Sequence, residues 1–340
     1  MLIAGAGMAG LVCAARARQL GLSPRVVEKG TRAGGSMLLS SCVIWRHVEW
    51  DDFRRECPGG DEELQRLVWE RLDDALAWLI SLGAKPVWDD TENPITTGKR
   101  FDPRALVALL ARDVELETPL PADVDGTVVL ATGGFGRRLA AERGLLLRAN
   151  PWSEGDGLDY ALARGAQTTA GMDEFYGRAM PAPPARIREE DFVALSQLYG
   201  KWAWVHTPTG RVITPPSVSW SENDLAQLIG PSAWFVLNDE GYDVAGDRVE
   251  GARAAGGTVL EADEIPFETR PDARIAVHVS AAVTHTIGGL KVNPCMRTHA
   301  DPPVYACGVD LGGVATGGYA SGLAQALVTG LVAAESIASR

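Results

Sequence analysis

The sequence predicts an α/β fold in which a parallel-sheet domain is interrupted by a smaller α+β domain, and three observations predict it. The chain opens as strand, glycine-rich turn, helix and strand, the order of a β-α-β unit. Continuous apolar strands and glycine turns return near residues 127–136 and again after residue 266. Between about 171 and 266 the composition changes: prolines stand at 181, 183, 184, 208, 215, 216 and 231, tryptophans at 202, 204, 220 and 234, and long apolar runs thin out. At 340 residues a single core gives way to two domains of unequal size. The expected division is 1–170 for the first part of the large domain, 171–266 for an inserted cap, and 267–340 for the second part.

The elements follow in order. Leu2-Ile3-Ala4 reads as a strand, Gly5 to Gly10 as a turn, Leu11 to Leu20 as a helix and Arg25 to Glu28 as the next strand. Gly21 closes that helix and Pro24 prevents its continuation. A second helix spans Glu62 to Leu82, because Leu64, Leu67, Val68, Leu72, Leu76, Leu79 and Ile80 recur at three and four residue spacings as one apolar stripe. A shorter helix follows Pro103, from Arg104 to Arg112, and Thr127 to Leu130 forms a buried strand ending in the tight turn Ala131 to Gly136. After the insertion come a strand at Arg274 to Val279, Gly288 and Gly289, and a glycine-rich loop before a helix at Leu323 to Ile337. Leu311 to Ala334 carries no charge and is long enough to raise the question of a membrane span. Gly312, Gly313, Gly317, Gly318 and Gly322 break it, so a loop followed by a buried helix is expected instead.

Lysine and arginine total 32 against 44 acidic residues, and the net charge of -12 repels phosphate backbones and anionic membranes. Nucleic-acid binding is not expected. The five cysteines, Cys13, Cys42, Cys57, Cys295 and Cys307, are odd in number and lack C-x-x-C spacing, so neither a disulfide framework nor a thiolate metal site is indicated. A strand at Leu2 leaves no room ahead of it for a leader, and a cytoplasmic location is expected.

Gly5-Ala6-Gly7-Met8-Ala9-Gly10 carries the most specific chemistry. Its first glycine permits the turn, its second lets backbone approach a pyrophosphate, and its third allows close strand–helix contact. Phosphates then lie at the N-terminus of the helix beginning near Leu11, where free N–H groups favour negative charge, and Met8 and Ala9 of the turn join the cofactor-binding set. Glu28 ends the next strand 18 residues beyond Gly10, where a carboxylate accepts hydrogen bonds from a ribose diol. This is a Rossmann-like dinucleotide fingerprint. Further glycine loops at Gly34-Gly35-Ser36, Gly133-Gly134 and Gly312 to Gly322 are spaced as for a long, permanently held ligand, which favours FAD over a transient nicotinamide. A helix starting at Leu323 directs its positive end toward Gly322, suited to stabilising an anionic reduced flavin.

With these loops in place, the chain resembles the FAD-dependent fumarate reductase and succinate dehydrogenase flavoprotein superfamily and its 3-ketosteroid dehydrogenase relatives. The resemblance rests on GAGMAG at 5–10, VVEKG at 26–30, GGS at 34–36, ATGGFG at 131–136, EGDGLDYALARGA at 154–166, THTIGG at 284–289 and the run at 304–336. It implies a glutathione-reductase-like FAD-binding domain facing a cap, with Glu28 on the adenosine ribose and Gly34 to Ser36 and Gly133-Gly134 along the cofactor. It also implies Asp310 at the ribityl and pyrophosphate region. Lys29, Ala131, Thr132 and Asp156 lie in the matched segments and join the cofactor-binding set. His285, in the THTIGG segment, is the first catalytic candidate, because its counterpart in dicarboxylate reductases contacts a substrate carboxylate or carbonyl. A histidine hydrogen-bonded only to structure is its alternative.

The departures are informative. Dicarboxylate reductases need an arginine as proton donor in the final glycine-rich segment, and none occurs from Asp301 through Glu335. The resemblance therefore does not extend to fumarate reduction. Tyr319 is the counterpart candidate for the ketosteroid branch's tyrosine, or else covers the ring. His206, with Arg211 beyond the Thr207 to Gly210 turn, either projects into a cleft or faces water, and Glu174 either meets substrate or braces the crossing into the cap. Trp45 and His47 follow the GGS loop closely enough to approach the flavin. Tyr176, Tyr199 and the cap tryptophans either line an aromatic cleft for a bulky apolar or cyclic substrate or form the cap's own core.

The expected function is FAD-dependent hydride transfer to or from a carbon next to a carbonyl, with a small-molecule substrate in the cleft between domains. Alternatives are an amine or alcohol oxidase using oxygen, a flavoprotein subunit that mainly binds a protein partner, and NAD binding without flavin. Only Val114 to Gly126 stands where larger relatives carry a β-meander, and that trimmed sheet edge is where a partner would bind.

Overall fold

The computed structural model describes residues 1–214 and 217–340; Pro215 and Pro216, counted above among the prolines of the insertion, lie outside the described residues. In chain order the elements begin with β1 (Leu2–Ala4), α1 (Met8–Gln19), β2 (Arg25–Val27), β3 (Val43–His47), α2 (Trp50–Glu56), α3 (Glu62–Ser81), β4 (Pro86–Trp88) and β5 (Thr96–Phe101). There follow α4 (Pro103–Leu110), β6 (Val114–Glu115), β7 (Val128–Leu130), α5 (Gly136–Arg143), β8 (Leu146–Leu147), α6 (Asp156–Leu162) and β9 (Phe175–Pro181). The remainder is β10 (Trp204–His206), α7 (Asn223–Ile229), β11 (Ala233–Leu237), α8 (Asp239–Ala254), β12 (Val259–Glu261), β13 (Ile275–Thr286), β14 (Val304–Ala306) and α9 (Gly322–Ala338). Contacts divide them into two compact units, one of Met1–Arg138, Ala149–Glu174 and His285–Arg340, the other of Leu139–Arg148 and Phe175–Thr284.

The first unit is an α/β layer with a Rossmann-like sheet. Five parallel strands run in the order β14-β7-β1-β2-β6, with Leu2 opposite Arg25 on one side and Val128 on the other. β1, β7 and β14 are buried along their whole length, which is why they read as unbroken apolar triplets. α1 starts at Met8, earlier than the Leu11 expected, because Gly7 already takes the extended N-cap conformation. Its backbone lies against α9, where a Cβ at Gly330 would stand 2.6 Å from the Ala9 carbonyl oxygen. α3 is capped by the Asp61 carboxylate, which accepts from the Glu63 and Leu64 N–H groups at 3.1 Å, worth about 1 kcal/mol. Leu64, Val68, Leu72, Leu76 and Leu79 are its buried stripe; Leu67 is only half-buried and Ile80 is exposed, since both lie at the stripe's margin. α9 is buried over most of its length, and among the described residues no helix is long and apolar enough to cross a membrane. A second, antiparallel sheet, β3-β5-β4, follows the Gly34-Gly35 loop.

The second unit is built on β13, which pairs with β11, β12, β8 and β9 and carries β10 beyond β11. That strand covers Ile275–Thr286, twice the span expected from Arg274 to Val279, and so carries the second unit past residue 266 to Thr284. Tyr199 is fully buried edge-on to Phe235, its Oη donating to Gln197 Oε1 at 2.7 Å, and Trp234 packs on Phe267 and His278. Trp204 and Trp220 lie outside that core at 44% and 42% exposure. The cap aromatics are thus divided between core and surface.

Glu222 is the buried acid that matters for this unit's pH response. It sits at the N-cap of α7 in left-handed conformation and accepts from the Gly200 N–H at 3.0 Å, and burial, helped by Asp224, pushes its carboxyl up to about 7 against the opposing pull of Arg178 and Arg248. A raised acid gives stability that is complete below its unfolded value of 4.5 and is lost as pH rises through about 7. His47, held down to about 4 by burial, works in the opposite sense from 6.5 downward, so wild type alone conceals the effect. The melting temperature of Glu222→Gln, compared with wild type from pH 4.5 to 8, is expected to gain on it steadily as pH rises, with the difference levelling above about 7; parallel curves would contradict the assignment.

Candidate functional site

The site begins where β1 ends. Gly5 turns the chain with φ +104°, and a Cβ there would stand 2.0 Å from the Ala131 carbonyl oxygen. Gly10 lies in the first turns of α1, where a Cβ would meet the Gly5 carbonyl oxygen at 1.9 Å. Both glycines are therefore demanded by the chain itself. Gly7 is different: its φ is −78°, and the nearest atom to a Cβ would be Gly35 Cα at 3.9 Å. Among the described residues nothing requires glycine there. Met8 and Ala9 form the buried first turn of α1 beside it.

Glu28 follows β2 and is buried, with one carboxylate oxygen accepting from the Ala6 N–H and the other from the Gly30 N–H, each at 2.8 Å. These bonds aim the carboxylate at the turn and leave it further acceptor capacity. A hollow beside it is lined by Lys29, Thr118, Leu120, Thr132, Asn150 and Trp152. Lys29 and Asp156, both expected on the cofactor, are paired with each other at 2.6 Å, and Lys29 also meets Glu154 at 2.6 Å. Their charged ends thus tie segment 150–156 to the end of β2. Trp152, Asn150, Thr118 and Leu120 were not among the residues marked by sequence; they belong to no motif, and only the fold brings them to Glu28.

The second glycine loop joins the first through the Gly34 N–H, which donates to the Ala6 carbonyl oxygen at 2.7 Å. Ser36 Oγ accepts from the Asn150 N–H at 3.0 Å. At the third loop Asp310, fully buried, accepts from Thr132 Oγ1 at 2.8 Å and from the N–H groups of Thr132 and Gly134. Burial raises its carboxyl to about 6 although these donors oppose the rise. Ala131 and Gly133 complete this turn, and a Cβ at Gly134 would meet Thr286 Oγ1 at 2.6 Å. That hydroxyl is buried without a hydrogen-bond partner among the described residues.

Much of the remaining glycine content answers to chain packing. A Cβ at Gly288 would strike Met172 N at 2.5 Å, at Gly312 the Gly289 N at 2.4 Å, and at Gly318 the Glu56 carbonyl oxygen at 1.7 Å. Gly322, expected beneath a flavin, is glycine because a Cβ would stand 2.7 Å from His285 Nε2. The number of glycine loops is therefore a weaker sign of a long ligand than the sequence suggests.

His285 sits against the first residue of α9, whose N-cap Ser321 Oγ accepts from the Ala324 N–H at 3.2 Å, with Leu323 following in the first turn. His285 Nδ1 lies 3.1 Å from the Thr286 carbonyl oxygen, which can only accept, so Nδ1 carries the proton and Nε2 presents a lone pair. Burial holds the imidazole below its ordinary value, against the Thr286 contact. Tyr319 is buried with its ring 5.3 Å from that of Trp45, whose N–H approaches Ser321 Oγ at 3.5 Å. Glu174 braces this region, accepting from the Gly317 N–H at 2.7 Å. His47 stacks on Phe53 and meets Trp45 edge-on.

His206 belongs elsewhere. It is buried in the second unit, Nδ1 at 2.9 Å from the Gly210 carbonyl oxygen, Nε2 at 3.4 Å from Thr269 Oγ1 and its ring against Phe267. It neither faces water nor projects from its turn, because the turn closes onto its ring. Arg211 is exposed.

Comparison with known proteins bears on the fold. Residues 3–40 match the model of an NAD(P)-binding Rossmann-like domain. No curated protein matches the chain by sequence. Among solved structures, the open conformation of a flavocytochrome c3 fumarate reductase is similar at TM-score 0.74 and 19% identity, over 99% of this chain and 78% of that one. A 3-ketosteroid-Δ4-(5α)-dehydrogenase from Rhodococcus jostii RHA1 is similar at 0.68 and 17%, over 100% and 96%. A 3-ketosteroid Δ1-dehydrogenase from Sterolibacterium denitrificans is similar at 0.67 and 14%, over 99% of both chains. The chain thus has the fold of the fumarate reductase, succinate dehydrogenase and ketosteroid dehydrogenase flavoproteins.

Proposed function

We propose that the chain binds FAD and is an oxidoreductase that transfers a hydride between the flavin and a carbon next to a carbonyl in a bulky, cyclic or apolar small molecule. Gly7 carries the first half of this reading: it is the one turn residue of the fingerprint whose lack of a side chain serves nothing among the described residues, and it stands in the turn beside the buried Glu28 carboxylate. The partnerless Thr286 hydroxyl and the N-terminus of α9 suit a polar ring edge near His285. The fit is to a dinucleotide held by the Gly5–Gly10 turn, Glu28, the Gly34–Ser36 loop and the Thr132–Gly134 loop that Asp310 fixes. When bound, the flavin supplies the hydride acceptor and donor.

His285 supports a direction for the reaction. Its neutral form, with the proton fixed on Nδ1, accepts at Nε2, so at neutral pH this residue takes a proton from a substrate more readily than it gives one. No arginine in 301–335 offers the donor that double-bond reduction needs. Removal of a hydride and a proton from adjacent carbons is therefore the reading we favour, with Tyr319 and Trp45 as an aromatic pair beside the Ser321 N-cap of α9.

Protein purified under native conditions is expected to carry FAD; a colourless protein that takes none up when FAD is supplied rejects the reading. Gly7→Ala is expected to keep the wild-type melting temperature while weakening FAD at least about tenfold, whereas Gly10→Ala lowers the melting temperature outright. Equal loss of stability in both would show that Gly7 too is structural. In stopped-flow mixing of the oxidised protein with ketosteroids and cyclic ketones, His285→Asn is expected to slow flavin bleaching roughly hundredfold or more. The wild-type rate should be constant through neutral pH and fall only in acid, as the imidazole protonates, and the variant should lose that acid limb. An unchanged profile in His285→Asn would remove it as the base.

A further inference from the structure

We infer that Trp152 is the wall on which the adenine of the bound dinucleotide stacks, and that the Lys29 ion pairs hold the wall in place. The inference rests on the FAD reading above and extends it to a residue outside every nucleotide motif of the chain. Two observations carry it. The Trp152 ring stands directly over Gly30, two residues beyond Glu28: a Cβ at Gly30 would lie 2.3 to 2.7 Å from its six-membered ring, so Gly30 is glycine to admit that indole. The indole borders the same hollow as Glu28, with Thr118 and Leu120 also in the lining. A carboxylate poised for a ribose diol therefore shares its hollow with an aromatic plane, the surface that the attached base would need.

The segment carrying Trp152 is fixed from both ends. Asn150 Oδ1 accepts from the Trp152 N–H at 3.3 Å, and the Asn150 N–H donates to Ser36 Oγ, linking the segment to the second glycine loop. Past the indole, Glu154 and Asp156 both meet Lys29 Nζ at 2.6 Å, and Arg137 meets Glu154 at 3.0 Å. The Arg32 guanidinium lies 5.7 Å from the ring centroid. A rotamer-rich surface tryptophan would lose entropy on ordering around a base; one held this way is already placed. An indole offers a π-face that any base accepts, so the wall adds affinity to the adenosine half without reading its edges.

Calorimetric titration of the apoprotein with FAD, and separately with ADP as the adenosine half alone, tests the assignment without any turnover. Trp152→Ala is expected to weaken both ligands by the same factor, roughly five- to hundredfold, and Trp152→Phe to recover most of the loss, since a smaller ring still stacks. Melting of the ligand-free variants separates stacking from folding: a packing role would be lost with stability, while the stacking role persists in variants that melt as wild type does. ADP binding unchanged in Trp152→Ala, or Trp152→Phe no better than Trp152→Ala, overturns the inference while leaving the FAD reading intact. Wild-type protein that binds neither FAD nor ADP overturns both.

Discussion

Backbone meeting backbone with no side chain between is the constraint on which the first unit depends. The turn after β1 lies against the turn after β7, because Gly5 leaves room for the Ala131 carbonyl, and α1 closes on that turn because Gly10 leaves room for Gly5. The same device joins Gly288 to Met172, Gly312 to Gly289 and Gly318 to Glu56, so loops far apart in sequence are packed backbone on backbone, and the turns after β1 and β7 stand at the carboxyl ends of parallel strands. In an open parallel sheet that is the edge where ligands bind. The close packing has a functional corollary: peptide N–H groups in such turns are held in fixed directions, and they serve anionic groups without reorganising.

Those N–H groups already serve the protein's own buried acids. The chain carries a net charge of -12, yet among the described residues the two carboxylates nearest the turns are hydrogen-bonded by backbone donors and not paired with lysine or arginine. Glu28 takes Ala6 and Gly30; Asp310 takes Thr132 and Gly134 as well as the Thr132 hydroxyl. Cross-linking by carboxylate to peptide holds these turns without spending a cation on either acid. Lys29, the cation of the VVEKG segment, is turned outward onto Glu154 and Asp156.

What the sequence made legible follows from how local the physics is. β1, α1, β2, α3, β7 and α9 were readable because a buried strand or an amphipathic helix repeats its cause at every turn. Gly5, Gly10 and Glu28 were readable because their spacing is tied to one local unit. Gly322 marks a limit: a glycine admits a ligand and a neighbouring side chain equally, and only the fold shows that His285 stands beside it. His206 was misread for a similar reason, since a histidine beside a turn gives no sign that the turn will fold back over its ring. The end of the inserted unit moved because β13 is one strand with partners on both sides, and pairing partners leave no mark in composition. Trp152 was invisible because nothing about Asn150-Pro151-Trp152-Ser153 connects it to Glu28 except the path of the intervening chain.

His285 shows how a residue of the right type is specialised by atoms that sequence motifs do not mention. The Thr286 carbonyl next to it in the chain fixes which nitrogen holds the proton, and burial keeps a second proton off. α9 adds to this, because the positive end of a helix opposes a charged imidazole at its first residue. Burial and the helix end act in the same sense, toward a neutral acceptor, against the Thr286 contact, which fixes the tautomer but favours the charged ring. A site that donated to a nascent carbanion would need the reverse arrangement, a cation held ready for transfer. The chemistry open to this fold is thus narrowed less by which histidine it carries than by the carbonyl, the helix end and the burial that surround it.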